Sequence, residues 1–515
     1  MKIKYILTVI ATVAFTNGVF AQYSQDAIIF SNTDNGSTSR VKALGGAGVA
    51  VGGDLSSINI NPAGLGFFTK SEFSFTPEFN SGKTTANYYG TSIKTNKSTG
   101  ALSNASIVLY TQLATPRGAD KTKGWLSLNF GASYSRTSNY NYSANIQGQG
   151  DGSGSSIADW YSEMGQNSNY ASGNQPTFPD NSLEAFGYFQ GLTSKGSLVQ
   201  DGGGNYYDIS PTTAVNPAQQ VNILRKGGQS QFDLSMGSNY SNKLYLGFGI
   251  GITSISYDYS SVFSEGGLID DPNNTQNPNP DNGKAYTTNF IASQSTRGTG
   301  FNAKFGAIYK PTNAVRLGAT ITTPTWYQID DIYSEDVETK IGSGQFQSDG
   351  NTYNTRYEIR SPFKASAGIA IFAGSHGFIT GDVEYVDYAS TNLRSDEYDV
   401  TDDNLDIKYR YKSTLNIRAG AEARINSNVF LRGGYSIQGS PQKELQSSVK
   451  TVSGGIGYRV GSYYIDATYS QSTGNYFYAP YLLSNNYIAN NNVTNPYADV
   501  KRQYNNVFVT FGYRF

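Results

Sequence analysis

Several basic side chains of this chain could bind a negatively charged ligand. They lie in segments where apolar and polar residues alternate. In 413–425, apolar residues occupy one face, and Arg418 and Glu422 lie on the other, because a strand places successive side chains on opposite sides. The same spacing selects four candidate ligand contacts that would face inward: Lys304, Lys364, Arg418 and Arg432. Asp382 and Glu384 would share their face, so two interpretations stay open: mutual neutralisation, or contact with a ligand.

Residues for catalysis or metal binding are scarce. The chain has no cysteine and one histidine, His376. Thiol nucleophiles, disulfides, iron–sulfur clusters and cysteine zinc sites are therefore excluded. His376 follows Ala-Gly-Ser between two alternating segments, which predicts a turn residue rather than a ligand or base, and no serine has a Gly-x-Ser-x-Gly context. We predict no catalytic residue, no metal, no cofactor and no enzymatic activity.

The elements that position these side chains are predicted from composition. The 515 residues include 57 Gly, 40 Tyr and 27 Phe, and the mean hydropathy is −0.43. Such a chain is too polar for a helical membrane protein and unusually aromatic for a soluble one. A transmembrane β-barrel fits both properties, because only alternate residues must be apolar and tyrosine suits the interfaces. The net charge of −1, with scattered basic residues, argues against a nucleic-acid partner.

The two ends of the chain predict export and a barrel. Lys2 and Lys4 precede an apolar run and then Val-Phe-Ala before Gln22, which predicts a signal peptide over residues 1–21. The last eleven residues alternate apolar and polar side chains and stop on Phe515, as the closing strand of an outer-membrane barrel does. We expect Phe515 to be a signal for the barrel assembly machinery.

Alternating runs bounded by turn residues predict fourteen strands, an even number as single-chain outer-membrane barrels have. Their ranges are 71–80, 104–113, 125–136, 230–241, 244–257, 300–310, 314–327, 362–372, 377–388, 413–425, 429–437, 449–460, 462–472 and 504–515. Short turns alternate with long connections, which predicts long loops on the outer side. The longest loop, 138–229, contains 157–164 and 182–191, whose apolar spacing predicts short helices; this loop is either a binding element or a plain cap.

The segment before the first predicted strand has a different composition. Residues 39–73 are small, Gly-rich and apolar, which predicts a compact plug in the barrel lumen. Asn61 followed by Pro62 predicts a turn or helix start. The glycines of 45–48 could suggest a phosphate loop, but they lack the Lys-Ser/Thr ending.

The block at 45–65, GGAGVAVGGDLSSININPAGL, resembles the FadL/TodX outer-membrane transporters of long-chain fatty acids and other hydrophobic compounds. Five residues match the family's NPA signature: Asn61, Pro62, Ala63, Gly64 and Leu65. The resemblance extends over the mature chain through the strand count, the turn and strand at 239–252, and the C-terminal Phe.

The resemblance implies an all-β fold, a fourteen-stranded antiparallel barrel with an N-terminal hatch, and three parts: signal peptide 1–21, hatch 22–70 and barrel 71–515. It also implies passive transport through an internal pocket and out of a side opening at a kink in the third strand. The candidate kink residues are Asn129, Phe130 and Gly131, because Gly allows a strand to bend.

The expected location is the outer membrane of a Gram-negative bacterium, and the expected partners are long-chain fatty acids or other hydrophobic small molecules and outer-membrane lipid. Two alternatives stay open. The chain could be a PorV-like barrel that docks proteins in a secretion system. It could also be a hemin receptor, although a single His in a turn argues against haem ligation.

Overall fold

The structure is a computed structural model that describes residues 21–114, 120–150, 154–172, 175–179, 182–201, 204–213, 216–270, 280–348, 350–444 and 447–515. The predicted signal peptide lies outside these ranges apart from Ala21. None of the helices in the described ranges is long and apolar enough to cross a membrane.

Strands dominate the described part of the chain. They are β1 (Glu72–Tyr88), β2 (Thr91–Leu109), β3 (Trp125–Asn139), β4 (Tyr142–Gln149), β5 (Tyr170–Ser172), β6 (Gln175–Thr177), β7 (Thr193–Asp201), β8 (Gly204–Pro211), β9 (Ala218–Tyr240), β10 (Leu244–Leu268), β11 (Ala285–Tyr309), β12 (Val315–Thr322), β13 (Trp326–Ile341), β14 (Gly344–Gln347), β15 (Asn351–Arg360), β16 (Lys364–Phe372), β17 (Gly377–Asp387), β18 (Asn392–Arg394), β19 (Ser413–Arg424), β20 (Val429–Gln438), β21 (Val449–Val460), β22 (Tyr463–Tyr478) and β23 (Ala498–Arg514).

Helices are short and lie at the N-terminus or between strands. They are α1 (Ala21–Ser31), α2 (Ser39–Ala43), α3 (Ser57–Ile60), α4 (Ile157–Ser168), α5 (Leu183–Phe189), α6 (Thr401–Arg410) and α7 (Asn485–Asn491), with 3-10 turns at Pro62–Phe67 and Tyr388–Ser390. The two helices predicted in the longest loop are thus confirmed as α4 and α5.

The strands close into a fourteen-stranded antiparallel barrel, which confirms the predicted fold. Each wall position pairs with the next along the chain, and β23 pairs with both β22 and β1 to close the ring. Four positions are built from two strands in line: β3 with β4, β12 with β13, β16 with β15, and β17 with β18. The Phe515 N–H completes the closure by donating to the Ser71 carbonyl at 2.9 Å.

Apolar side chains cover the outer surface of the lower wall, as expected for a lipid-facing belt. On β23, Phe511, Tyr513 and Phe515 are exposed, whereas Phe508 and Thr510 are buried on the inner face. The belt is continued around the barrel by alternate residues, among them Phe73, Phe75, Leu234, Met236, Phe305, Leu317, Ile369, Ile417 and Ile456.

The wall is taller than the sequence pattern predicted. Much of 258–299 and 328–361, predicted as long loops, belongs to β10, β11, β13 and β15. Above the lipid belt the outer face of a strand no longer meets lipid, so apolar residues do not mark that face. The β1–β2 hairpin is extended in the same way to a tight turn at Tyr89 and Gly90, both with positive φ.

Candidate functional site

The N-terminal segment fills the barrel interior and is fixed there by Asn61. This side chain is buried, its Nδ2 donates to the carbonyl of Val49 at 2.7 Å, and its Oδ1 accepts the Ala63 N–H at 3.1 Å, which caps the 3-10 turn. The same Nδ2 lies 3.3 and 3.4 Å from the carbonyls of Ala307 and Ala319 on two wall positions. Asn61 therefore holds the hatch turn and the wall together.

The rest of the predicted motif provides shape. Pro62 starts the 3-10 turn, where its fixed φ fits and its missing N–H is not needed. Ala63, Gly64 and Leu65 are buried, and a Cβ at Gly64 would lie 2.4 Å from the Ser57 hydroxyl. The motif is thus a tight turn against the wall.

The glycine-rich stretch 45–48 is held by a wall carboxylate. The N–H groups of Gly48 and Val49 donate to Asp382 Oδ2 at 2.7 and 2.9 Å. These amides bind a carboxylate of the barrel itself. The glycine-rich stretch therefore has a structural role, and not the phosphate-binding role that its glycines could suggest.

Arg316, on the inner face of β12, clamps the hatch. Its guanidinium lies 4.2 Å from the ring centroids of both Phe67 and Phe372, and Phe67 stacks on Tyr245 at 3.7 Å. Arg316 also donates to the Val51 carbonyl. Nothing in the sequence linked Arg316 to Phe67.

Three of the four basic residues predicted as candidate ligand contacts have acidic partners. Lys304 Nζ lies 2.9 Å from Asp233, and Arg418 Nη2 lies 2.9 Å from Glu384. Arg432 bonds to Glu422 at 2.7 Å and to Asp466 at 2.5 Å, and Arg40 of the hatch shares Glu422 at 2.7 Å. Mutual neutralisation, one of the two open interpretations, is the arrangement found at these residues.

Lys364 is the exception among the four. Its Nζ donates to the carbonyl and the hydroxyl of Thr33, at 3.1 and 2.6 Å. It makes no ion pair with any residue that the structure describes. Lys364 also lines a polar cavity of about 40 Å³, with Asp34, Asn302 and Thr323 among its other walls.

The predicted kink residues lie in a part of β3 where both ladders keep their register. Gly131 pairs with Val108 on one side and Ser235 on the other without a register shift, and Phe130 continues both ladders. The Asn129 amide instead donates to the hatch carbonyls of Leu65 and Phe68, at 2.6 and 3.2 Å. A Cβ at Gly131 would lie 2.7 Å from Ile58, so this glycine admits the hatch.

The strand β3 shifts register at its lower end, between Trp125 and Ser127, and again above the predicted kink. Above the second shift lies a stretch without a β2–β3 ladder, between 91–103 of β2 and 136–149, which we call the β2–β3 gap. The β2–β3 ladder ends at Asn104 opposite Ser135, and β3 shifts register between Arg136 and Ser138. In the described chain no ladder joins β2 to β3 or β4 above this point, but β2 and β4 stay in contact, and the Asn145 N–H donates to the Thr95 hydroxyl at 3.1 Å. Gly227 of β9, at φ +109°, accepts the Tyr140 N–H at 3.2 Å where the wall bends.

An apolar pocket in the upper lumen is filled by α1. Ala27, Ile28 and Phe30 of this helix pack into a buried cluster whose walls are mostly tyrosine: Tyr140, Tyr257, Tyr327, Tyr357, Tyr388 and Tyr411, with Ile255, Ile329 and Leu393. Polar contacts fix the helix start, because Ser24 donates from its N–H to Asp403 at 3.1 Å and from its hydroxyl to Asp406 at 2.8 Å. No pattern in the sequence predicts this arrangement.

A second buried cluster covers the top of the barrel. The helix α4 starts at a capping box of Ser156 and Asp159. Glu265 of β10 accepts the Ser156 hydroxyl at 2.7 Å and the Ile157 N–H at 2.9 Å. Burial raises the pKa of Glu265, and these donors act against that rise. The predicted long loop is therefore an ordered cap in its described part.

Comparison with known proteins establishes the fold of this chain. No family model matches it, and no curated protein does. Among solved structures, the toluene transporter TodX of Pseudomonas putida matches at TM-score 0.50 and 14% identity, over 93% of this chain and 98% of that one. The TodX monoaromatic hydrocarbon channel deltaS2 mutant matches at TM-score 0.53 and 13% identity, over 93% and 99%. The chain therefore has the FadL/TodX barrel fold that its NPA block indicated.

Proposed function

We propose that this protein is a passive outer-membrane channel for long-chain fatty acids or other hydrophobic compounds. The observation that carries the proposal is a closed barrel, filled by a bonded hatch, whose backbone ladder is interrupted beside the hatch at the β2–β3 gap. The solved structures of this fold cited above are named as a toluene transporter and a monoaromatic hydrocarbon channel.

The apolar pocket around α1 supports a hydrophobic substrate. Its tyrosine rings offer apolar faces for a chain and hydroxyl groups for a polar end. Because α1 occupies the pocket, a substrate would bind there by displacing part of the helix.

The β2–β3 gap supports release into the membrane. Its lower end adjoins the exposed side chains of Phe79, Leu102 and Tyr134 on the lipid side. A hydrophobic solute that leaves here passes from a protein pocket into hydrocarbon and avoids water. The hydrophobic effect supplies the free energy, so the route needs no other energy source.

The closing strand supports placement in the outer membrane. Phe515 is 56% exposed on the lipid side, at the periplasmic end of β23. We propose that the barrel assembly machinery recognises this end. Removal of Phe515 is then expected to lower the amount of assembled barrel in outer-membrane fractions, with unassembled chain accumulating in the periplasm.

A docking role in secretion is the second candidate, and the cap favours it. Tyr170 and Phe189 of the cap are well exposed. Aromatic side chains exposed at a surface are typical of interaction sites.

Uptake of radiolabelled fatty acid, in cells with and without the gene, separates the two functions. A channel requires that uptake falls when the gene is deleted and returns with the wild-type gene. Unchanged uptake together with loss of secreted proteins would favour docking. Mass spectrometry of lipids that co-purify with the barrel identifies the substrate class.

A further inference from the structure

The barrel wall has a second interruption, away from the β2–β3 gap. It lies in the two neighbouring wall positions formed by β12 with β13 and by β16 with β15. Strands β12 and β13 are separated by residues 323–325, and β15 and β16 by residues 361–363. Pro324 and Pro362 lie in these separations and have no N–H to donate to a ladder. We call these two short segments the proline break.

The break spans three neighbouring wall positions at one height. Regular pairing between β12 and β16 ends at Thr322 opposite Lys364, and pairing resumes at Trp326 opposite Arg360. The next position breaks at the same height, because a 3-10 turn at Tyr388–Ser390 separates β17 from β18. Two hydrogen bonds remain across it: the Ser361 N–H donates to the Thr325 carbonyl at 3.0 Å, and the Thr325 N–H to the Ser361 hydroxyl at 2.8 Å.

The outer side of the break lies at the upper edge of the lipid belt. Trp326 and Phe363 are 50% and 42% exposed, and they flank the break. Ile321 and Ile369 continue the apolar surface below it. The polar head groups of outer-leaflet lipids lie at the height of such aromatic side chains.

The inner side of the break is the polar cavity that contains Lys364. Thr323, Thr325, Ser361 and Pro362 form both the break and part of the cavity wall. Its volume of about 40 Å³ holds roughly three water molecules. A carboxylate has three heavy atoms and fits the same space.

Lys364 is the cation of the cavity lining that has no ion pair in the described chain, although the carboxylates of Glu384 and Asp34 lie near it. Lys304 and Asp233 neutralise each other, and Arg418 and Glu384 do so next to the cavity. Lys364 has only neutral hydrogen-bond partners in the described chain. Asp34 also lines the cavity and is exposed, so it would compete with an added anion for Lys364.

We propose that the proline break is a second lateral portal, through which the carboxylate of a single-chain amphiphile in the outer leaflet reaches Lys364 while its tail stays against Phe363 and Ile369. This inference rests on the proposed transport of hydrophobic compounds, and it names carboxylate amphiphiles as substrate and the membrane as their source. The two prolines remove ladder hydrogen bonds at lipid height, and a portal gives a reason to keep them there.

Photo-crosslinking tests the portal without a transport assay. The purified barrel is reconstituted in phosphatidylcholine vesicles with a photoreactive palmitate analogue, irradiated, digested and examined by mass spectrometry. We expect labels within residues 361–364 and 323–326. Labels confined to the β2–β3 gap or to the cap would overturn the inference.

Charge variants test the head-group site. Lys364→Met is expected to lower carboxylate labelling about tenfold, as the loss of a charge-assisted hydrogen bond does, and Lys364→Arg to restore much of it. Asp34→Asn is expected to raise labelling. Labelling by the matching photoreactive alcohol should be the same in all three variants as in the wild type. Equal labelling by acid and alcohol in all variants would overturn the carboxylate assignment.

A disulfide across the break tests its movement, since the chain has no cysteine of its own. Thr325→Cys with Ser361→Cys joins neighbours across the break, and Ala319→Cys with Ala367→Cys joins a regular pair of the same wall lower down. Uptake should fall on oxidation of the first pair, return on reduction, and stay unchanged with the second. If uptake depends on the barrel but ignores the first disulfide, the portal fails and the proposed function stands. If deleting the gene leaves uptake unchanged, the proposed function itself fails.

Discussion

Arg136 of β3 is ion-paired with Glu78 of β1, with Nη1 2.9 Å from Oε1, so the two strands on either side of β2 are joined by a buried salt bridge. The pair lies just above Asn104 and Ser135, where the β2–β3 ladder ends. Arg136 also donates to Asn139 at 2.7 Å. This ion pair closes the lower end of the β2–β3 gap from the inside.

Breaking this pair should loosen the gap. Arg136→Met leaves Glu78 buried without its cation, which costs about 3–5 kcal/mol for a buried pair, and β2 and β3 lose their inner closure. We expect faster amide hydrogen exchange in 100–109 and 130–139. Swapping the charges, Glu78→Arg with Arg136→Glu, should slow exchange again. Asp330→Asn, which removes the exposed Asp330–Arg356 pair, is the matched control and should change nothing.

Docking of α1 should weaken as the pH rises. Burial, followed by the neighbouring Asp331 carboxylate, raises the pKa of Asp26 to about 8, while hydrogen bonding by Gln294 opposes the rise. The released helix has an Asp26 pKa near 4, so the docked state binds the extra proton. The contribution of this proton to the stability of the docked helix is complete below about pH 4 and is lost as the pH rises to about 8. Between these values the docking equilibrium constant falls by about tenfold per pH unit.

Maleimide labelling of Ala27→Cys, which is buried in the docked helix, measures this release. Labelling should speed up between pH 6 and pH 8 by more than the intrinsic change of a free thiol. The additional change Asp26→Asn should reduce the excess, and the remainder is due to Asp403, which contacts Ser24 of α1 and whose pKa burial raises to about 7. An excess that is unchanged in Asp26→Asn would contradict the assignment to Asp26.

Replacement of Asn61 by aspartate, which has nearly the same shape, should destabilise the hatch. Asn61→Asp keeps the cap at the Ala63 N–H but replaces the donors to Val49, Ala307 and Ala319 by a buried carboxylate facing carbonyl oxygens. Asn61→Ala loses the same donors at a cost of about 1–3 kcal/mol without adding charge. We expect protease cleavage within 45–70 to increase in the order wild type, alanine, aspartate. Aspartate protected as well as wild type would contradict the bonding described here.

Arg432 should be needed for stability rather than for ligand binding. Its side chain is fully buried between Glu422 and Asp466, and Arg40 remains to neutralise Glu422 if it is removed. Arg432→Met therefore leaves Asp466 as the uncompensated charge, and we expect the free energy of unfolding in detergent to fall by about 3–5 kcal/mol. Adding Asp466→Asn should recover most of this loss. Fatty-acid binding to the refolded single variant should stay unchanged.

The sequence determined the barrel. Alternation from β1 to β23 identified fourteen wall positions because lipid requires an apolar outer face on every spanning strand, and the glycine-rich NPA block distinguished the hatch from the wall. The same rule placed Lys304, Arg418 and Arg432 inside, since a charge facing lipid is costly. The upper wall escaped this rule because a strand above the membrane needs no apolar face.

The tertiary structure decided which residues meet across the lumen. Asn61 reaches Ala307, and Arg136 reaches Glu78, only after the barrel closes, and neither separation in sequence carries a signal. The hatch residue Ile58 packs on Gly131, and the β3 ladder shifts register between Arg136 and Ser138; neither relationship could be predicted from the sequence. Alternation fixes the face of each side chain, and closure of the ring fixes its partner.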